Sequence, residues 1–136
     1  MLKYKFLSHP ADLKMRVWGK NQKELFINAS RGMMAFLYSN CSKAGPLLKK
    51  PAKINLKAAD IKALTVDWLS ELLYLSDAKN ICFDRFNFKK ITAREIQAEV
   101  FGCPAKAQRD IKAVTYHGLE IKQTKSGWQA VILFDI

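Results

Sequence analysis

Asp60-Ile61-Lys62-Ala63-Leu64-Thr65-Val66-Asp67-Trp68-Leu69-Ser70-Glu71-Leu72-Leu73-Tyr74-Leu75 is the stretch whose reading decides the fold class. Leu64, Trp68, Leu72 and Leu75 recur at helical intervals, and Ile61, Leu69 and Leu73 widen the stripe. That is the period of a helix with one buried face. Asp60 is a good N-cap, because its carboxylate can accept an N–H of the first turn. The pattern predicts a helix ending near Asp77–Asn80, and its apolar width marks it as the most buried helix of the chain.

On either side the period changes to two. Towards the N-terminus, Leu2, Tyr4 and Phe6 alternate with lysines, and Leu13, Met15 and Val17 alternate with Lys14 and Arg16. Ser8 to Asp12 reads as the turn joining this strand pair, and Gly19 ends it. Asn21 to Glu24 resembles a capping box. Leu25, Ala29, Met33, Phe36 and Leu37 then predict a first helix ending near Asn40, followed by a loop over 41–51 that holds Gly45, Pro46 and Pro51. Ile54, Leu56 and Ala58 give a strand before the central helix. Beyond it come strands at Phe86 and Phe88, at Ile96, Ala98 and Val100, and from Val114 to Ile121 with an irregularity near Gly118. The turn Lys125-Ser126-Gly127 leads into a last strand, Trp128 to Ile136. Strand, strand, helix, strand, helix and four strands predict an α+β two-layer sandwich. Two helices pack on a mostly antiparallel sheet of six or seven strands.

A chain of 136 residues is expected to fold as one domain, 1–136. Its 49% hydrophobic and 26% charged residues exclude disorder and collagen-like structure. No apolar run reaches the ~18 residues of a membrane span, and Met1 to Lys5 lacks the core of a signal peptide, so a soluble, cytoplasmic protein is expected. The formal net charge is +11, with 13 basic and 4 acidic side chains in residues 1–68 and 10 and 8 in residues 69–136. Such a field suits RNA, DNA, an acidic protein or an anionic surface, and it equally suits lysine used as a solubilising residue. Cys41, Cys82 and Cys103 are odd in number, widely spaced and without a CxxC pair, which predicts free thiols rather than a disulfide framework or a zinc site.

Motifs for phosphate-loop, zincin, nucleophile-elbow and EF-hand chemistry are missing, and two histidines, His9 and His117, exclude a multi-histidine centre within one chain. Three carboxylates remain of interest. Asp135 directly follows the run Ala130 to Phe134, Ile136 adds the main-chain carboxylate, and Asp12 opens the second strand. If the last strand ends beside that loop, the three converge and call for a counter-charge, which a hard divalent cation with oxygen ligands supplies. Otherwise Asp12 is a turn residue and Asp135 a solvated chain end. His9 could hydrogen-bond Asp12 from the loop, and Lys112 and Arg85 could each contact a phosphate or an acidic partner, or be ordinary solvated charges.

Four segments resemble one family. Phe6-Leu7-Ser8-His9-Pro10-Ala11-Asp12 resembles the H-T-A-D segment of archease. Thr65 to Leu75 is similar to its V-D-W-L-x-E-L-L helix, and Ile111 to Leu119 to its K-A-[VI]-T-Y-H signature. The chain also ends, as archeases do, in an apolar strand closing on Asp-Ile. Pro10 stands where the family has Thr, Leu13-Lys14-Met15-Arg16 replaces small apolar residues, and Gly102-Cys103 replaces a frequent Gly-Glu.

The resemblance implies a protein cofactor rather than an enzyme. Its partner would be an RtcB-type RNA ligase, which joins 3′-phosphate or 2′,3′-cyclic phosphate ends to 5′-hydroxyl ends in tRNA splicing and RNA repair. The cofactor promotes ligase guanylylation and multiple turnover, so RNA is expected to be met only through the ligase. It also implies a cation site, usually described with calcium (magnesium is the alternative), made by Asp12, Asp135 and Ile136. His9 and Lys112 are then expected to contact the partner or a phosphate. The residues by themselves leave two rivals, a general basic RNA-binding or chaperone-like module and a small metal-dependent hydrolase.

Overall fold

The computed structural model describes residues 3–7, 11–39, 41 and 51–136. Among these the chain forms two helices and seven strands. Strands β1 (Tyr4–Leu7) and β2 (Asp12–Gly19) form the expected antiparallel pair. Asn21 Oδ1 then accepts the Glu24 N–H at 2.8 Å, and Glu24 Oε1 accepts the Lys20 N–H at 3.3 Å. These bonds start α1 (Gln22–Leu37), with Asn21 as the N-cap and Glu24 reaching back to the residue before it. After β3 (Ala52–Lys57), Asp60 Oδ1 accepts the Ala63 N–H at 2.8 Å and starts α2 (Ile61–Lys79), which stops at Asn80 in the left-handed conformation, φ 54°. Four strands complete the chain: β4 (Ile81–Ile91), β5 (Glu95–Pro104), β6 (Ala113–Thr124) and β7 (Gly127–Asp135). Ser8, His9 and Pro10 of the first turn, and residues 42–50 of the loop before β3, lie outside the described residues.

The fold is α+β and its strands pair antiparallel throughout. They divide into two sheets, a four-stranded one in the order β1-β2-β7-β6 and a three-stranded one in the order β3-β5-β4. Alternation within a strand carries no record of which sheet it joins. The irregularities lie on edge strands: β4 shifts register at Phe83/Arg85 and at Phe88/Lys90, and β6 between Thr115 and Glu120. Bulges of this kind bend a strand and end its pairing, so these edges remain margins of separate sheets. Gly118, at φ 67°, sits inside the β6 bulge, where the sequence pattern breaks.

Both helices touch both sheets. α1 packs on β2 and β4, and α2 on β6, β3 and β4. The sheets contribute Met15, Val17, Ile54, Ile96, Val100, Ile132 and Phe134 to the core between them. α1, rather than α2, is the more deeply buried helix, with nine buried residues against seven. Its inner face is built partly from small and polar residues that apolar periodicity passes over. Gly32 lies so close to Met15 and Tyr4 that a Cβ there would collide with the Met15 sulfur. Asn28 Nδ2 donates to the Trp18 carbonyl at 2.8 Å, and Ser30 Oγ accepts the Trp68 indole N–H at 2.8 Å.

The expectation of three free thiols is corrected. Cys41, just beyond α1, and Cys82, at the start of β4, form a disulfide with Cα atoms 5.3 Å apart, and only Cys103 is a free, buried thiol among the described residues. The two cysteines stand 41 positions apart in sequence, and it is the packing of α1 on β4 that brings them together. Among the described residues no helix is long and apolar enough to cross a membrane.

Candidate metal centre

The site begins with the register of β2 against β7. Eight residue pairs run without a break from Gly19–Trp128 to Asp12–Asp135. Met15 and Val17 turn inward beside Ile132 and Ala130, so a slip of one residue would expose this buried set and bury its charged neighbours. The hydrophobic pattern therefore sets which carboxylates meet. Asp12, the first residue of β2, lies directly opposite Asp135, the last of β7. Directly opposed residues share a face, with Cβ atoms about 5 Å apart. Asp12 is half-buried and Asp135 exposed. Ile136 follows at once, its residue 43% exposed.

β6 closes the other side. Ala113 pairs with Asp135, and the Lys112 N–H donates to the Asp135 carbonyl at 2.7 Å. That bond fixes the Lys112 backbone beside the carboxylate row. The Lys112 side chain is exposed and lines a cavity of about 300 Å³ against α2, shared with Ser70, Tyr74 and Asp77. The last strand thus ends beside Asp12, so the convergence of carboxylates expected from the sequence holds for Asp12 and Asp135.

The Archease protein family (MTH1598/TM1083) matches residues 4–136 of the chain. The chain belongs to the archease family. It is 37% identical to the protein archease of Methanosarcina barkeri, over 98% of this chain and 95% of that one. It is 34% identical to that of Methanosarcina acetivorans, over 98% and 96%. The solution structure of protein 1598 of Methanobacterium thermoautotrophicum shares the fold, with a TM-score of 0.70 at 22% identity and 98% coverage of both chains.

Of the residues that the archease resemblance marked, the structure brings together Asp12, Asp135 and the Lys112 backbone, with Ile136 next in the chain. His9 and Pro10 lie outside the described residues. Arg85 stands apart, in β4 of the other sheet. Among the described residues no group of three or more His, Cys, Asp or Glu side chains could hold a metal ion, and the strand end itself presents the two side-chain carboxylates of Asp12 and Asp135. The sequence reading gave no role to Trp18 or Trp128, which stand at the far end of the same two strands. The available signal was that Trp18 continues the outward series Asp12, Lys14, Arg16.

Proposed function

We propose that the chain is an accessory protein, not a free-standing enzyme, that activates an RtcB-type RNA ligase in tRNA splicing and RNA repair. Its action is to promote ligase guanylylation and repeated turnover in the cytoplasm. Membership of the archease family supports this reading, and the single observation that carries it to a site is the pairing of Asp12 with Asp135. Asp12, Asp135 and the Ile136 carboxylate would hold a divalent cation, calcium or magnesium, whose charge neutralises the converging anions and offers a positive point at the end of the sheet.

The chain's own groups supply the rest. The β2–β7 ladder holds the two aspartates in register, and the core beneath it makes that register costly to change. Lys112, anchored through its N–H to the Asp135 carbonyl, presents an exposed ammonium at the same strand end. It would pair with a phosphate of the incoming nucleotide or with a carboxylate of the ligase. His9 would contact the partner from the adjoining loop.

The test mixes the chain with an RtcB-type ligase, GTP, a divalent cation and nicked RNA bearing 3′-phosphate and 5′-hydroxyl ends. The expected result is faster guanylylation and more than one ligation per ligase, with Lys112→Ala folded but weaker in stimulation. No gain in either step would refute the accessory reading, and cleavage of RNA by the chain alone would replace it with a hydrolase.

A further inference from the structure

At the opposite end of β2 and β7 from the carboxylates, a cavity of about 450 Å³ opens beside Trp18, lined also by Lys3, Lys20, Trp128 and Gln129. That size lies within the range of small-ligand sites. Trp18 is six residues from Asp12 along an extended strand, about 20 Å, so this place is separate from the carboxylate row.

Both indoles are half-buried, but Trp128 packs against the hydrophobic core from the inner face, whereas Trp18 is not part of that core. Trp68 shows what a structural indole looks like here, fully buried with its N–H bonded to Ser30. Among the described residues, the N–H groups of Trp18 and Trp128 have no acceptor. Gly19 faces Trp128 across the ladder. A Cβ at Gly19 would collide with the backbone of Leu25, so the glycine lets this end of β2 lie directly against α1.

The surroundings are cationic. Lys3 and Lys20 are exposed and, among the described residues, make no ion pair. Lys122 joins Trp18 and Gln129 in one cross-strand row, and the next row on the same outer face runs Lys5, Arg16, Val131 and Glu120, two cations against one carboxylate. Glu24 also lines the cavity, where its Oε1 takes the Lys20 N–H. A flat indole face outside the core and flanking ammonium groups match a nucleotide. Its base stacks on Trp18 and its phosphates meet the lysines. A purely polyanionic ligand gains nothing from the indole, and a purely apolar one gains nothing from the lysines.

We propose that the cavity beside Trp18 binds one nucleotide unit of single-stranded nucleic acid, the base against the Trp18 indole and the phosphates on Lys3 and Lys20. The chain would then hold RNA or DNA directly, beyond the expectation that RNA is met only through a ligase. The proposal does not rest on the carboxylate site, so the two can fail separately.

The experiment titrates a fluorescein-labelled ten-residue oligouridylate with the full chain and reads anisotropy over a range of salt. The parallel arms are an abasic strand of equal length and free uridine monophosphate as competitor. Trp18→Ala should weaken oligouridylate binding about 5- to 150-fold, the worth of one stacked base. Trp18→Phe, which keeps a stacking face, should recover much of it and guards against misfolding of the alanine variant. Lys3→Gln with Lys20→Gln should make the slope of log affinity against log salt shallower by about 0.7 per lysine. Competition by uridine monophosphate that depends on Trp18 would assign the site to free nucleotides as well, in support of the same chemistry. Equal binding of abasic and base-bearing strands, or a folded Trp18→Ala variant that binds oligouridylate as tightly as the parent, would overturn the proposal.

Discussion

Replacing Asp135 by Asn should stabilise the protein in EDTA and deprive it of stabilisation by calcium. Asp12 and Asp135 are directly opposed across β2 and β7, so their charges sit some 5–6 Å apart at a solvent-facing sheet end. At that separation two like charges in water-like surroundings repel by about 0.7 kcal/mol. Removing one charge with a nearly isosteric amide should therefore raise stability by several tenths of a kcal/mol. For a chain of 136 residues the unfolding entropy converts 0.5 kcal/mol into roughly 2 °C of melting temperature. With calcium at about 100 times its dissociation constant, the parent protein should gain ~2.7 kcal/mol, roughly 9 °C, while Asp135→Asn gains little. The order of the two melting temperatures thus inverts between EDTA and calcium. Asp135 is the cleaner position to change, because Asp12 makes a further interaction of its own. Scanning calorimetry at pH 7 reads both conditions. A variant that melts below the parent in EDTA, or that shifts with calcium as much as the parent does, would refute the reasoning.

Three further outcomes follow from the packing. Reducing the Cys41–Cys82 bridge reopens a loop of 41 residues and should cost about 4 kcal/mol, so a melting temperature indifferent to reductant would contradict the pairing. Trp68→Ala removes a fully buried indole, its bond to Ser30 and its ring contact with Phe88, and should lower unfolding free energy in urea by ~3–5 kcal/mol; a loss below 1 kcal/mol would mean the helix is held by something else. Burial raises the Tyr38 phenol above its ordinary value near 10, helped by Asp77 and opposed by the hydrogen bond with Ser76. The stability this contributes is complete below pH 10 and is lost as pH rises through the raised value, so the parent should lose stability above pH 10 more steeply than Tyr38→Phe, and identical urea midpoints across that range would count against it.

The helices and most strands were legible because their evidence is local. Asn21 and Asp60 cap where the sequence places caps, and the alternation of Leu13, Met15 and Val17 is a true inward face for Met15 and Val17. Long-range relations left no local trace. Nothing near Cys41 points to Cys82, since their approach depends on α1 lying against β4. The division of the strands into two sheets is a matter of which strands pair at long range, and of the bulges in β4 and β6 only that at Gly118 shows as a break in period. The depth of α1 was hidden for another reason: Asn28, Ser30 and Gly32 are buried but not apolar, so they narrow the stripe by which a helix is judged. For the site, the sequence supplied the carboxylates, and the eight-pair ladder supplied their meeting. Trp18 continues the outward series of Asp12, Lys14 and Arg16 and lies on the same face as Lys122, but alternation alone gives an outward aromatic no role.

The most direct test of the account compares the parent chain with Asp12→Asn and Asp135→Asn in multiple-turnover ligation by an RtcB-type ligase, with calcium present and folding of each variant checked by circular dichroism. The account predicts that the parent raises the number of ligations per ligase above one, and that both folded variants leave it near the level of the ligase alone. Full stimulation by either folded variant would contradict the claim that the paired carboxylates at the end of β2 and β7 are where this protein acts.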